Sequence, residues 1–346
     1  MKRVLTAVAA AALLLALCIG AGVGCGPQKP RVYVYNWVDY IPEEVVKEFE
    51  KRYGVRVIYD MFASNEEMYA KLKAGGGGYD VVFPSGDFVS IMIKEGMFKE
   101  IDKSRVPNFK HLDTAILAKA LFDPGSVYSV PFAIGAAGVT VNTERVSDFP
   151  RDWRIFEMPE IRGRLTLLDD MREVLGVALS TLGYSINSTT DSELEEAKAL
   201  ILEWKRGAVK FDSETFGRGF AAGEFWVVHG YAENVQLALE DNARDKAYFF
   251  IPETGGPMYL DNMGILKDAR NVDLAYKFIN FIHEPQIYAK IMDFIQAPSI
   301  NVPARKLVTE EPMYPIEALD KMEFKQDLGD YLEVYNRIWQ EIRVGG

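Results

Sequence analysis

Apolar and polar positions follow two periods along this chain, and from Arg31 onward the two take turns. Val32 and Val34 alternate with Tyr33 and Tyr35 in the period of a strand. Pro42 then suits a first helical turn, and Glu43 and Glu44 suit its positive dipole end. Val45, Phe49 and Tyr53 fall on one face of that helix, and Gly54 closes it. Residues 55–59 read as a second strand, and Ser64 with Glu67 predicts a capping box for a helix carrying Met68 and Leu72, ended by Gly75 to Gly78. A third strand over residues 79–83 runs into Pro84-Ser85-Gly86 and another helix.

The same style returns in mid-chain. Residues 164–168 predict a strand feeding a helix from Asp170, and Ser192 with Glu195 predicts the cap of a long helix through Leu194, Ala197, Ile201 and Trp204. Residues 272–282 predict a helix that stops before Pro285. Such alternation implies an α/β fold with right-handed parallel crossovers and ligand sites at the carboxyl ends of the strands.

The first 24 residues break the pattern. Lys2 and Arg3 precede an apolar run from Ala7 to Ile19, followed by small residues up to Gly24 and then Cys25. That run is shorter than the ~20 residues a bilayer core requires, so residues 1–24 read as a cleaved secretory signal rather than an anchor. The small residue before Cys25 and the tether over residues 25–30 resemble a bacterial lipoprotein processing site, with Cys25 as the lipidated N-terminus. Cys18 is the only other cysteine and lies in the leader, so the mature chain holds no intramolecular disulfide and depends on packing. The remaining 322 residues suffice for two α/β lobes, and a cleft between lobes is a preferred ligand position.

Charge changes the picture of the partner. The formal net charge of -11 becomes -13 once the leader's two cations are removed. Such a field repels phosphate backbones, which argues against nucleic acid and suits a cationic partner.

Enzyme signatures are missing. Gly75 to Gly78 is followed by Tyr79, not by the Lys-Ser or Lys-Thr of a phosphate-binding loop, and no Gly-x-Ser-x-Gly elbow occurs. Of the three histidines, His283 is followed by Glu284 and then Pro285, which breaks any zinc-protease helix; His111 and His229 stand alone. No metal and no cofactor are expected.

What stands out is aromatic residues beside acids at the ends of the expected strands: residues 36–40, 84–88, 168–173, 230–231 and 259–261. The spacing of Asp170 and Glu173 puts both carboxylates on one face of a first helical turn. Singly, each of these residues has an ordinary reading as a cap, a solvated acid or a core ring. Together, rings and carboxylates form a receptor for a flexible organic cation. Two alternatives remain at this level. One is a receptor for another small solute, an amino acid or a ferric complex. The other is a hydrolase using Asp170 and Glu173, although paired-carboxylate catalysis needs ~5–9.5 Å across a scissile bond.

At four segments, residues 35–40, 64–72, 169–174 and 304–307, the chain resembles the polyamine-binding proteins of bacterial ABC importers, the PotD group. The resemblance runs from about Val32 to the C-terminus. It implies a two-lobed periplasmic-binding-protein fold of type II, each lobe a mostly parallel sheet flanked by helices, with the ligand in the interlobe cleft. Lobe 1 would be residues 31–138 plus 259–308, and lobe 2 residues 139–258 plus 309–346.

By position, Trp37 and Tyr40 would be wall aromatics with Asp39 beside them. Ser85 matches a family contact, and Asp87 stands where tyrosine is frequent. Asp170 and Glu173 match the carboxylates that hold a secondary or distal amine. Tyr231 and Tyr259 stand where tryptophans are common, and Asp261 matches the carboxylate for a terminal ammonium. The family's late glutamine falls near Lys325-Gln326, taken as Gln326, and its Gly-Tyr-Pro aligns with Gln296-Ala297-Pro298, which lacks the aromatic. With one end weakened and Asp261 kept, putrescine is favoured over spermidine. The implied protein is a periplasmic monomer, held to the lipid bilayer through Cys25, that hands polyamines to an ABC permease and its ATPase.

Overall fold

The computed structural model describes residues 29–345; the expected signal, the lipidation site Cys25 and most of the tether lie outside the described residues. Strand β1 (Arg31–Trp37) leads into α1 (Glu43–Tyr53), which Gly54 closes in the left-handed conformation, φ 66. Strand β2 (Arg56–Phe62) follows, then α2 (Asn65–Lys73). Ser64 accepts from the backbone N–H of Glu67 at 3.1 Å, while the Glu67 carboxylate reaches back to the N–H of Ala63, one residue before the expected partner. The third strand, β3, is only Val81–Val82, and α3 spans Gly86–Lys94.

A short helix α4 (Thr114–Lys119) precedes two consecutive strands, β4 (Ser129–Ala136) and β5 (Gly138–Asn142). The middle of the chain supplies β6 (Leu165–Leu167), α5 (Met171–Thr181), α6 (Asp191–Gly207), β7 (Ala208–Phe211), α7 (Phe216–Ala221), β8 (Val227–Gly230), α8 (Ala232–Ala238) and β9 (Ala247–Phe250). Strand β10 (Gly256–Ile265), α9 (Val272–Ile282), α10 (Pro285–Ile295), β11 (Met322–Phe324) and α11 (Tyr331–Val344) complete the described elements. Helix α6 starts three residues before the expected Leu194 stripe, with Thr190 at its N-cap and no side-chain cap bond, so the Ser192–Glu195 box does not form.

Two sheets result, one in the order β11-β10-β3-β1-β2 with β4 also on β10, the other β7-β6-β8-β5-β9. Both are mixed, which corrects the expectation of mostly parallel sheets. β1 pairs in parallel with β2 and β3, but β10 runs antiparallel to β3 and β4, and β5 antiparallel to β8 and β9. β4 and β5 follow each other directly but belong to different sheets, so the chain passes from one sheet to the other there, and the antiparallel neighbours in each sheet come from strands far apart in sequence.

Each sheet has its own core. One draws on residues between 32 and 136, Ile251, and residues 258–304 and 314–324; the other on residues 137–228 with Val235, Leu239, Phe250 and α11. A smaller third cluster around Tyr35, Phe62, Met68, Val82, Val89, Met92 and Phe98 lies within the first span. The chain passes between cores at Ala136–Ala137 and again near Phe250–Ile251. Tyr314, Leu319, Met322 and Phe324 pack in the first core, so the boundary expected at 308/309 falls after Phe324, and Met258 also belongs with the first core. The residues around 325 therefore sit at a passage between the two.

Candidate functional site

Strand β10 is buried along its whole length except for Tyr259, which is half-buried. Alternation puts Tyr259 and Asp261 on the same side of that strand. The Tyr259 ring lies flat across β4 at Gly135, its register partner; a Cβ at that position would stand 2.2 Å from the Tyr259 hydroxyl oxygen, so only glycine admits the ring. The β10–β4 register shifts between Asp261 and Asn262, opposite a segment that contains Pro131. Proline has no N–H to continue the ladder, and the irregularity turns Asp261 toward the end of β3. There Ser85 forms an isolated bridge with it.

The Asp261 carboxylate is 3 % exposed and accepts two hydroxyls, Ser85 Oγ on Oδ1 at 2.6 Å and Tyr40 Oη on Oδ2 at 2.6 Å. Burial pushes its pKa up to about 6; the two hydroxyls and the Lys325 ammonium oppose that rise, and Asp87 adds to it. Asp87, in the first turn of α3, is half-buried, and its Oδ1 has no hydrogen-bond partner.

On the other side, Asp170 caps α5 with Oδ1, accepting from the N–H groups of Arg172 at 2.8 Å and Glu173 at 3.0 Å. Glu173 is 1 % exposed. Its Oε1 accepts from Lys325 Nζ at 2.8 Å and lies 3.5 Å from the Tyr231 hydroxyl, while its Oε2 is buried without a partner. Burial raises the Glu173 pKa against the pull of Lys325. Burial also disfavours the Lys325 ammonium, but Glu173, Asp170 and Asp87 together lift it above its ordinary range, so this lysine is firmly charged.

The rings of Tyr231, which follows β8, and Tyr259 meet edge to face across the two sheets with centroids 6.0 Å apart. Trp37, at the end of β1, packs on Phe62 at 4.6 Å and leaves its indole N–H without a partner. Asp87, Tyr259 and Lys325 line one narrow crevice together with Phe122 and Phe324.

The structure thus brings together Tyr40, Ser85, Asp87, Asp170, Glu173, Tyr231, Tyr259 and Asp261, with Trp37 at the same strand edge. Two expected residues lie outside this group. Asp39 is exposed in a left-handed turn, φ 54, where its charge is felt by Tyr59. Gln326 is exposed, and it is Lys325 that points among the acids. The Gln326 backbone is occupied instead, its N–H donating to Asn187 and its carbonyl accepting from Arg172.

Two residues were missed. Glu233, in the first turn of α8, is half-buried with its pKa raised by burial, and its charge reaches Tyr40, Tyr231, Tyr259 and Tyr314. It stands just past a strand end beside Tyr231, the same placement that singled out the other acids. Lys325 carried no such signal. Of the three histidines, His229 and His283 are fully buried, His229 against Trp153 and Phe156, and His111 is half-buried.

Five carboxylates, several aromatic faces, the Lys325 ammonium and the nearby Arg172 guanidinium converge where two α/β lobes meet, which is the build of a clefted solute receptor. The chain belongs to the bacterial extracellular solute-binding proteins, whose family profile matches residues 44–317. It is 35 % identical over 340 residues to the spermidine/putrescine-binding periplasmic protein of Salmonella typhimurium, covering 95 % of this chain and 96 % of that one. It is 33 % identical over 350 residues to a putrescine/cadaverine-binding protein of Pseudomonas aeruginosa, covering 96 % and 99 %. Among solved structures, the TpPotD lipoprotein of Treponema pallidum superposes with a TM-score of 0.88 at 42 % identity, covering 91 % of this chain and 99 % of that one.

Proposed function

We propose that the chain captures a polyamine, putrescine or spermidine, between its lobes and delivers it to the permease of an ABC importer. The observation that carries this reading is the surplus of buried or half-buried carboxylates over cations. Asp87, Asp170, Glu173 and Asp261 act on the Lys325 ammonium and Glu233 on the neighbouring Tyr231 and Tyr259, five acids against two cations, Lys325 and the Arg172 guanidinium that acts on Glu173. An excess of negative charge out of water is costly unless a cation joins it. The Trp37, Tyr40, Tyr231 and Tyr259 faces suit the methylenes and ammoniums of such a cation. Four methylenes contribute about 3 kcal/mol on burial, whereas micromolar affinity needs about 8 kcal/mol, so the carboxylates supply much of the remainder. The names of the relatives support the same ligand class.

In this reading Asp261 takes a terminal ammonium, with Ser85 and Tyr40 orienting its two oxygens, and the lobes close because only the closed form engages both walls. Two features speak against the hydrolase alternative. Asp170 spends one oxygen capping its helix, and Glu173 is paired with a lysine. The leader and Cys25 suit a receptor tethered to a membrane on its extracytoplasmic side, and a monomer suffices for the cleft. Calorimetric titration tests the reading. The chain should give one saturable site for putrescine or spermidine, whereas no heat with any polyamine, alongside tight binding of an anion or iron, would refute it.

A further inference from the structure

We propose that Lys325 is a resident ammonium that fills the amine subsite beside Asp170 and Glu173, so that this receptor accepts a diamine and discriminates against a triamine. The inference rests on the polyamine reading above and goes on to name which polyamine the site admits.

The placement begins in the sheet. β11 pairs in parallel with β10, Phe324 opposite Met258, and the Lys325 N–H reaches the Met258 carbonyl at 3.4 Å. Lys325 therefore leaves the sheet edge level with Tyr259, two residues short of Asp261. Its side chain is 14 % exposed and crosses to the other lobe, where Nζ sits 2.8 Å from Glu173 Oε1. The charges acting most strongly on it are the acids Glu173, Asp170 and Asp87, and its own charge also reaches Asp261.

The backbone that carries the lysine is anchored on both sides. Asn187 donates from Nδ2 to the Phe324 carbonyl at 3.0 Å and accepts the Gln326 N–H on Oδ1 at 2.9 Å. Arg172 donates to the Gln326 carbonyl at 2.9 Å and to Asn187 Oδ1 at 2.7 Å. Arg172 and Asn187 belong to the lobe of Glu173, so donor and acceptor of the ion pair are held by one frame. An ordinary surface lysine samples many rotamers, whereas this one starts from a clamped backbone and ends on a buried carboxylate.

Once Lys325 is in place, the unmet acceptors are those a diamine can reach. Asp261 has only hydroxyl donors, Asp87 Oδ1 has none, and Glu173 retains an unpartnered Oε2. A diamine brings two ammoniums to these. A triamine brings a third, which must displace Lys325 from Glu173 or lie against a like charge, and both alternatives cost affinity.

The test is calorimetry of the chain, and of Lys325→Met and Lys325→Arg variants, with putrescine and spermidine. The wild-type chain should bind putrescine at least tenfold more tightly than spermidine. Lys325→Met keeps an apolar stem and vacates the subsite, so the ratio of spermidine to putrescine affinity should rise at least tenfold; Lys325→Arg should keep the wild-type order. Wild-type affinity for spermidine equal to or above that for putrescine would overturn the proposal without any variant having to fold. So would a Lys325→Met variant that loses affinity for both ligands by the same factor, the result expected of a mere latch between lobes. In either case the polyamine reading would survive, whereas a wild-type chain that binds neither ligand would end both.

Discussion

The two acidic ends of the cleft have been solved by opposite means. At one end Asp261 is almost fully buried and meets only the hydroxyls of Ser85 and Tyr40, so no counter-charge touches it, and burial lifts its pKa to about 6. At the other end Glu173 is just as buried, but a lysine of the same chain sits on it at 2.8 Å. Both are carboxylates at the mouths of α/β strands. One is left electrostatically unsatisfied in the free protein, the other is already paired. A residue's type therefore does not say whether it is waiting for a ligand, and the partners within hydrogen-bond reach do.

The contrast can be broken most forcefully through stability. Glu173→Ala should destabilise the ligand-free chain by about 3 kcal/mol, because it strands a mostly buried ammonium. Asp261→Asn should act in the opposite direction at pH 7. It removes a buried charge, keeps a partner for each hydroxyl, and should raise stability by about 1–3 kcal/mol, the worth of one to two pKa units. Urea unfolding of the two variants side by side decides the matter, and a loss of the same size in both would erase the distinction between the ends.

Ligand affinity sharpens the same point. Asp261→Ala should weaken putrescine binding about 10- to 100-fold, the scale of one charge-assisted hydrogen bond of about 1.5–3 kcal/mol. Titration calorimetry with the variant reads this directly.

The third effect is pH. The folded Asp261 holds its proton up to about pH 6, whereas an unfolded aspartate loses it near 3.8. Between those values the folded state binds more protons, so Asp261's contribution to ligand-free stability falls as pH rises through that window. Ammonium binding needs the ionised form. Affinity should therefore drop roughly tenfold per unit below about pH 6, and binding near pH 6 should release a proton, which titration in two buffers of different ionisation enthalpy measures. The smallest effect belongs to Gln326, whose side chain is exposed; Gln326→Ala should change affinity less than about twofold, within the range of surface substitutions.

Where the chemistry is local, the structure follows the sequence closely. Gly54 ends its helix in the left-handed conformation, Ser64 and Asp170 cap theirs, and residues 272–282 form a helix with the expected bounds. Each of these depends on contacts within four or five residues. Strand β10 was legible only at Tyr259–Asp261, because a strand buried on both faces shows no alternation. The sheets are mixed because β10 runs antiparallel to β3 and β4, and β5 antiparallel to β8 and β9, pairings between strands far apart in sequence that periodicity does not encode. Lys325 escaped notice for a similar reason. It pairs with a residue 152 positions away, and nothing in Phe324-Lys325-Gln326 says which side chain turns inward. The parallel register of β11 on β10 and the clamp from Asn187 decide that, and both are long-range.

The central claim is that Asp261 is the vacant ammonium acceptor of the cleft while Lys325 already occupies one oxygen of Glu173. A crystal structure of the chain with putrescine tests it most directly. The account predicts one ligand nitrogen within about 3 Å of an Asp261 oxygen, with Lys325 Nζ still on Glu173 Oε1. A putrescine that displaces Lys325 and leaves Asp261 holding only its two hydroxyls would contradict it.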